Sequence, residues 1–418
     1  MAVCLRICLL TAAVFSFVTI STPFGETDSR KARLLRWRKG PIKIALSTSL
    51  TGPNSSIKPE SDVRGALVRS LNRWEEAADV EFDLLFSDLL AISPGGKAGD
   101  GVSLITIAPA TENLLAFSKK HQNASALTRV FFDERDRITE ADIALNPNQQ
   151  FSSDLTFDTY DLESVFTHEI GHLLGLEHTY MGSSVMFDGV PKNGFLEAAG
   201  LSRELSSEDV TNLRSLYGGK NDADCCGTIR IRASAADRKN SVEIFWVQDA
   251  ATGALIQSRL AAAGNAVNFS GLSSGRYEIY SQPKGSFSSV PHGSVSLNGT
   301  DVEIPTKSPM RKPAQFDIQF LGTGGQVSKR GVRLAGGQTY RVLVAGRNLD
   351  RQPLQFATTS SLIQITRSIS ETQQFESDLT AVVLNLEIDR AIKPGQYSLY
   401  AESPSGQRIY IVGAITID

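Results

Sequence analysis

Three of the chain's five histidines fall within eleven residues, in the run His168-Glu169-x-x-His172-x-x-Gly175-x-x-His178, and no other feature so narrows what the chain can be. His168 and His172 stand four apart, so on a helix of 3.6 residues per turn their imidazoles project from one face. That spacing suits two ligands of a tetrahedral zinc ion. Glu169 lies on the adjoining face, within reach of a water at such a metal without being a ligand itself. Val165, Phe166, Ile170, Leu173 and Leu174 give the same helix an apolar face to bury, and Asp161 or Ser164 is suited to cap its start. Gly175 stops the helix, because glycine tolerates the positive φ of a sharp turn, and the turn lets His178 swing back as a third ligand. Three histidines leave a fourth position for water, the arrangement of a catalytic site and not of a closed structural one. There Glu169 is placed to take the proton of an attacking water and return it to a leaving amine. Five fixed positions of this kind arise by chance in about six of a million sequences of this composition.

The rest of the chain sets the context. Its 418 residues, 41% hydrophobic and 21% charged, read as a soluble globular protein of about two to four domains. With 42 Lys+Arg against 45 Asp+Glu, the net charge of −3 is too balanced for a dedicated nucleic-acid binder. Residues 1–21, with Arg6 ahead of the apolar run Ile7 to Ile20, read as a signal peptide, short of the ~20 residues a spanning helix needs. The expected protein is secreted and extracellular, or held at the cell surface if that segment stays uncleaved, with no later stretch apolar enough to span a bilayer. Residues 22–40, rich in Arg and Lys, read as a basic linker or short pro-segment. Cys4 and Cys8 would leave with the signal. The adjacent Cys225 and Cys226 remain open to three readings: a strained vicinal disulfide, two free thiols, or an intermolecular bridge. Asn54, Asn123, Asn268 and Asn298 lie in glycosylation sequons.

From Pro41 the pattern is mixed α and β. Strands are expected at Ile42–Leu46, Val80–Phe86, Val102–Ile107, Leu127–Phe132 and Ala141–Leu145, and a helix through Val63, Ala66, Leu67, Leu71 and Trp74 behind Ser61-Asp62. Ser206 with Asp209 reads as a capping box opening a helix that closes at Tyr217-Gly218-Gly219. Beyond Gly219 helical periodicity gives way to short alternating runs, the texture of antiparallel β-sandwiches. Gly275-Arg276-Tyr277-Glu278-Ile279-Tyr280 and Gly395-Gln396-Tyr397-Ser398-Leu399-Tyr400 echo each other, either as a repeat or as two independent hairpins, and the proline-rich Pro305–Pro313 stretch is the natural linker.

The extended histidine motif resembles that of the metzincin zinc metalloproteases. Ser183-Ser184-Val185-Met186-Phe187, shortly after His178, is similar to that family's methionine turn, which makes Met186, like Gly175, a structural residue near the site. Thr179 after the third histidine is closest to the matrixin branch. Arg36-Trp37, Ala141-Asp142-Ile143-Ala144-Leu145-Asn146-Pro147 and Leu201-Ser202 through Leu216-Tyr217-Gly218 also look matrixin-like. The resemblance covers residues 36–219. It implies an α+β metzincin catalytic domain at 41–219, a twisted mixed sheet with long helices, and a substrate that adds to the sheet edge at Leu127–Phe132. It also implies one catalytic zinc ion on His168, His172 and His178, Glu169 as the catalytic residue, and calcium without assigned ligands. No cysteine precedes the domain in residues 22–40 to mask zinc, too few histidines remain for a second zinc site, and Asp188 replaces the proline usual after the methionine turn.

Two all-β sandwich domains are expected to follow. Residues 225–306 resemble carboxypeptidase-regulatory-like modules, and residues 313–418 immunoglobulin-like ones. Such modules bind or space, which suggests a surface or matrix ligand. The function expected is a secreted zinc endopeptidase acting on protein or peptide substrates. The alternative is an inactive metzincin scaffold serving in surface binding or adhesion. An aminopeptidase suits the short His168–His172 core but not its extension to His178.

Overall fold

The computed structural model describes residues 34–418 apart from 97, 119–120, 195–198, 201–202, 221–224, 233–241, 263–264, 284–287, 306–313 and 377–378, and apart from the side chains of 367–376. The signal segment, Cys4, Cys8, most of the basic segment, Leu201-Ser202 and nearly all of the Pro305–Pro313 linker therefore lie outside the described residues.

The N-terminal unit opens with β1 (Ile42–Ser47), the one-turn α1 (Thr48–Thr51) and α2 (Val63–Ala77). β2 (Phe82–Ser87), β3 (Leu104–Thr106), α3 (Thr111–Ala116), β4 (Ala126–Phe132) and β5 (Ile138–Leu145) follow. Two short strands, β6 (Phe151–Ser152) and β7 (Tyr160–Asp161), lead into α4 (Leu162–Leu173), and α5 (Ser207–Tyr217) closes the unit. The first five strands form one sheet in the order β2-β1-β3-β5-β4, and β6 pairs with β7 apart from it. β1, β2, β3 and β5 run parallel, while β4 is antiparallel to β5 and forms the edge. Each expected strand and helix is present; β2 starts two residues later than its alternation suggested, because the Val80 N–H is taken up by Ala78 in the preceding turn.

α2 and α4 pack through small and apolar side chains. Asp62 caps α2, and Ala66, Leu67, Leu71 and Trp74 turn its buried face to the core. The Trp74 indole N–H donates to the Thr167 carbonyl at 3.0 Å. Every residue of α4 is buried. Glu163 is tolerated there because Arg69 and Arg73 each reach it at 2.7 Å.

Among the described residues sixteen strands make up the β region. The first seven are β8 (Gly227–Ile231), β9 (Val242–Asp249), β10 (Ala254–Ala262), β11 (Val267–Leu272), β12 (Gly275–Pro283), β13 (Val290–Leu297) and β14 (Val302–Ile304). Next come β15 (Phe320–Thr323), β16 (Gln326–Ser328), β17 (Val332–Leu334), β18 (Thr339–Arg347) and β19 (Gln355–Thr358). β20 (Ile363–Glu376), β21 (Leu379–Ile388), β22 (Gly395–Glu402) and β23 (Arg408–Ile417) complete the chain. One eight-stranded sheet draws on both stretches expected to stand apart: β10 pairs with β22 through Ala254↔Tyr397 and Leu255↔Gln396. One core lies between it and the three-stranded β11-β8-β14 sheet, through Phe269, Ile229, Val247 and Ile279. A second lies between it and the β16-β15-β18-β21-β20 sheet, through Val344, Leu384, Leu399 and Ile415. Cys225 and Cys226 are bonded to each other just ahead of β8. Among the described residues no helix is long and apolar enough to cross a membrane.

Candidate metal centre

α4 starts where Asp161 accepts the Ser164 N–H at 2.9 Å and its hydroxyl at 2.8 Å, so Asp161 is the cap. Arg203 locks that buried carboxylate with bonds of 2.6 and 2.9 Å. At the far end the helix leaves carbonyls unpaired, as every helix does. The Trp37 indole N–H takes that of Leu173 at 2.8 Å, and the Tyr217 hydroxyl takes that of Leu174 at 2.8 Å. Tyr217 in turn accepts the Trp37 N–H at 3.1 Å. Gly175 then turns at φ +90°, and a Cβ there would collide with the Leu35 carbonyl oxygen.

The turn brings the third histidine back. The Nε2 atoms of His168, His172 and His178 lie 3.2, 3.1 and 3.3 Å apart. Nitrogen ligands about 2.0–2.1 Å from a tetrahedral zinc stand roughly 3.3–3.4 Å from one another, so the triangle matches that ion nearly as it is. The remaining ring nitrogens support this reading. His168 Nδ1 lies 2.6 Å from the Val185 carbonyl and His172 Nδ1 2.8 Å from the Leu176 carbonyl. A carbonyl can only accept, so each Nδ1 carries the proton and each Nε2 keeps its lone pair for a metal. Burial is the main force holding the His172 imidazole well below the usual histidine range. It also takes His178 down to about 4, with neighbouring His168 adding to the shift and Asp188 opposing it. Both rings are thus neutral at ordinary pH, the form a metal needs. His178 is the most open of the three, its side chain 23% exposed, with Asp188 3.9 Å from its Nδ1.

Glu169 is buried beside this triangle, which raises its carboxyl above the usual range; His168 and a hydrogen bond from Thr128 partly oppose the shift. The Thr128 hydroxyl on β4 lies 2.6 Å from Glu169 Oε2 and 3.1 Å from its backbone carbonyl. It has one proton to give, and the shorter contact assigns that proton to the carboxylate.

Met186 is fully buried beneath α4, where a Cβ on Gly171 would strike its sulfur. Its turn is tied at both ends. Thr179 N–H donates to the Met186 carbonyl at 2.9 Å. Asp209 accepts the Ser184 hydroxyl at 2.5 Å and the Val185 N–H at 3.0 Å. Asp209 also closes the expected capping box with Ser206. One carboxylate therefore fixes both the start of α5 and the turn whose Val185 carbonyl orients His168. The structure brings together His168, His172, His178, Glu169, Gly175 and Met186, as the sequence motif expects, and adds two contacts the motif does not point to, that of Thr128 and the second one of Asp209. Both of these act across 24 or more residues, and only the strand containing Thr128 had a signal in the sequence.

This sheet order, helix and histidine triangle are the features on which the sequence resembles the metzincins. Residues 36–218 match the family model for Matrixin. The chain is 26% identical over 212 residues to metalloendoproteinase 5-MMP of Arabidopsis thaliana, covering 50% of this chain and 52% of that protein. It is 26% identical over 188 residues to metalloendoproteinase 4-MMP of the same plant, covering 44% and 48%. A shorter stretch of 59 residues is 39% identical to metalloendoproteinase 1 of Glycine max, covering 14% and 17%. The chain spans about half the length of the first two of these relatives. Residues 36–218 are thus similar to the matrixins, a family that uses zinc, and His168, His172 and His178 stand close enough together to hold such an ion.

Proposed function

We propose that the chain is a secreted zinc endopeptidase that hydrolyses peptide bonds in proteins, with His168, His172 and His178 holding one zinc ion and Glu169 as its acid–base residue. The observation that carries this reading is the triangle of three Nε2 atoms beside a buried carboxylate that stands outside the triangle. His168, His172 and His178 would hold a zinc ion whose Lewis acidity would be available to a substrate carbonyl and to water. Glu169 receives the proton of the attacking water at its carboxylate and delivers it to the leaving amide nitrogen. Thr128 holds that carboxylate in one orientation. β4 is the edge of the sheet, where an extended substrate would lie as an added strand. We read residues 225–306 and 313–418 as two accessory β-sandwich units whose shared sheet makes them one support for the N-terminal unit, and residues 1–21 as the export signal.

The test is cleavage of casein by the chain lacking residues 1–35, alongside Glu169→Gln, each with and without a zinc chelator. Activity is expected to fall by about 10²–10⁴-fold in Glu169→Gln, the range for loss of a general acid–base residue. Zinc stoichiometry should stay near one in that variant, and the chelator should abolish activity in the parent. A parent that binds zinc and cleaves nothing would overturn the enzyme reading in favour of a binding scaffold.

A further inference from the structure

The segment from Thr179 to Asp188 joins the third histidine to the methionine turn, and one of its sides is made by the C-terminal β region. Met181 is buried in a cluster with Trp246, Leu255 and Tyr410, from β9, β10 and β23. Gly413, at φ +64°, leaves room for this contact; a Cβ there would collide with the Met181 methyl. Gly182 lies directly against the backbone and Cβ of Arg330. Arg330 stands between β16 and β17, its own N–H held by the Ser328 hydroxyl at 2.8 Å. Its Nε donates to the Gly182 carbonyl at 3.0 Å, and its guanidinium lies 4.8 Å from the centre of the Phe187 ring. Phe187 bridges back to Thr179, next to His178.

One arginine thus grips the loop at two points, near its start and its end. The planar fork bonds a carbonyl with one edge and covers an aromatic ring with its face, a pairing that lysine reproduces only in part. The loop's two ends are also the open rim of the metal triangle: the His178 side chain is 23% exposed and that of Asp188 48%. A substrate reaching the three Nε2 atoms passes this rim.

We propose that Arg330 is a positioning residue of the substrate cleft, through which the β region sets the shape of the wall from Gly182 to Asp188 and so the peptides accepted there. The proposal rests on the endopeptidase reading for its kinetic consequence, but the grip itself does not depend on catalysis.

The experiment compares the full chain with Arg330→Ala and Arg330→Lys by three measurements: steady-state kinetics on a panel of peptides varied on either side of one scissile bond, zinc content, and hydrogen exchange of amides 179–188. For Arg330→Ala the expected result is KM raised about 5–20-fold with kcat changed less than about threefold. The ranking of the peptides should change, zinc should stay bound, and amides 179–188 should exchange faster. Arg330→Lys should recover part of each effect. Unchanged KM, ranking and exchange in Arg330→Ala would overturn the proposal. So would a uniform loss of kcat that tracks a lowered melting temperature, since that is the mark of a purely structural residue. If the parent cleaves no peptide, the endopeptidase reading fails, and the exchange of 179–188 alone still supports or overturns the grip.

Discussion

At the scale of single residues, the proposed chemistry depends on one carboxylate held still. Glu169 is buried, and its Oε2 has one strong partner in the Thr128 hydroxyl at 2.6 Å. Removing that donor leaves the carboxylate free to rotate and raises its proton affinity further, since Thr128 is among the groups that lower it. Thr128→Val keeps the shape of the side chain and is expected to reduce kcat by about 3–30-fold while KM and zinc content hold, as follows when a group acts only on the reacting step. A kinetic comparison at several pH values checks this, and the acid limb of the profile should move to higher pH in the variant. The motif itself was legible because its residues are local: a spacing of four puts two imidazoles on one helical face whatever the rest of the chain does. Thr128 was not legible, because its role comes from β4 crossing α4, and a threonine in a strand carries no mark of what lies opposite.

At the scale of elements, the helix bearing His168 and His172 is positioned by its ends. Asp161 is wholly buried; it caps α4 and pairs with Arg203 on the segment before α5. Asp161→Ala removes the cap and leaves a guanidinium facing a cavity. The loss is expected to be about 2–4 kcal/mol, less than for a fully buried pair because Arg203 is partly exposed. Asp161→Asn keeps a capping oxygen and should lose less than half as much. Urea denaturation of zinc-free protein measures both. The sequence marked Asp161 as a capping candidate and missed Arg203, which lies 42 positions on. Trp37 is visible in the sequence only as part of a family likeness, and Tyr217 only through that likeness and a helix stop; their task of closing the carbonyls of Leu173 and Leu174 comes from the fold. The echoed Gly-x-Tyr runs behave in the same way. Tyr277 donates to the Ser273 carbonyl at 2.8 Å and Tyr397 to that of Lys393 at 2.9 Å, each at the entrance to its strand. Both are tyrosines turned back on the chain four residues upstream, an arrangement typical of sandwich corners. The likeness therefore reaches beyond two similar turns.

At the scale of the whole molecule, the N-terminal unit and the β region meet through charge as well as through Met181, and this joint makes stability depend on pH. Glu208 on α5 is 3% exposed and accepts the Ser258 hydroxyl of β10 at 3.0–3.1 Å. Arg259 stands 3.5 Å away, and its other nitrogen donates to Asn212 at 2.6 Å. Burial raises the Glu208 carboxyl from 4.5 to about 7; Arg259 opposes the shift and the neighbouring Asp209 adds to it. A carboxyl whose affinity for a proton is greater in the folded state binds more protons there than in the unfolded chain between those two values. Stability from this group is therefore fully present below about pH 4.5 and is lost as pH rises through 7. The size is on the order of 3 kcal/mol at most, at 1.36 kcal/mol per pKa unit. Glu208→Gln keeps the hydrogen bond from Ser258 and cannot ionise, so its melting temperature should fall less than the parent's between pH 5 and 8. The two curves should converge at the acid end and separate between about pH 4.5 and 7, with the variant the more stable above that range. Parallel curves would mean that Arg259 keeps Glu208 ionised throughout, and the joint would then be a permanent ion pair that responds to salt and not to pH.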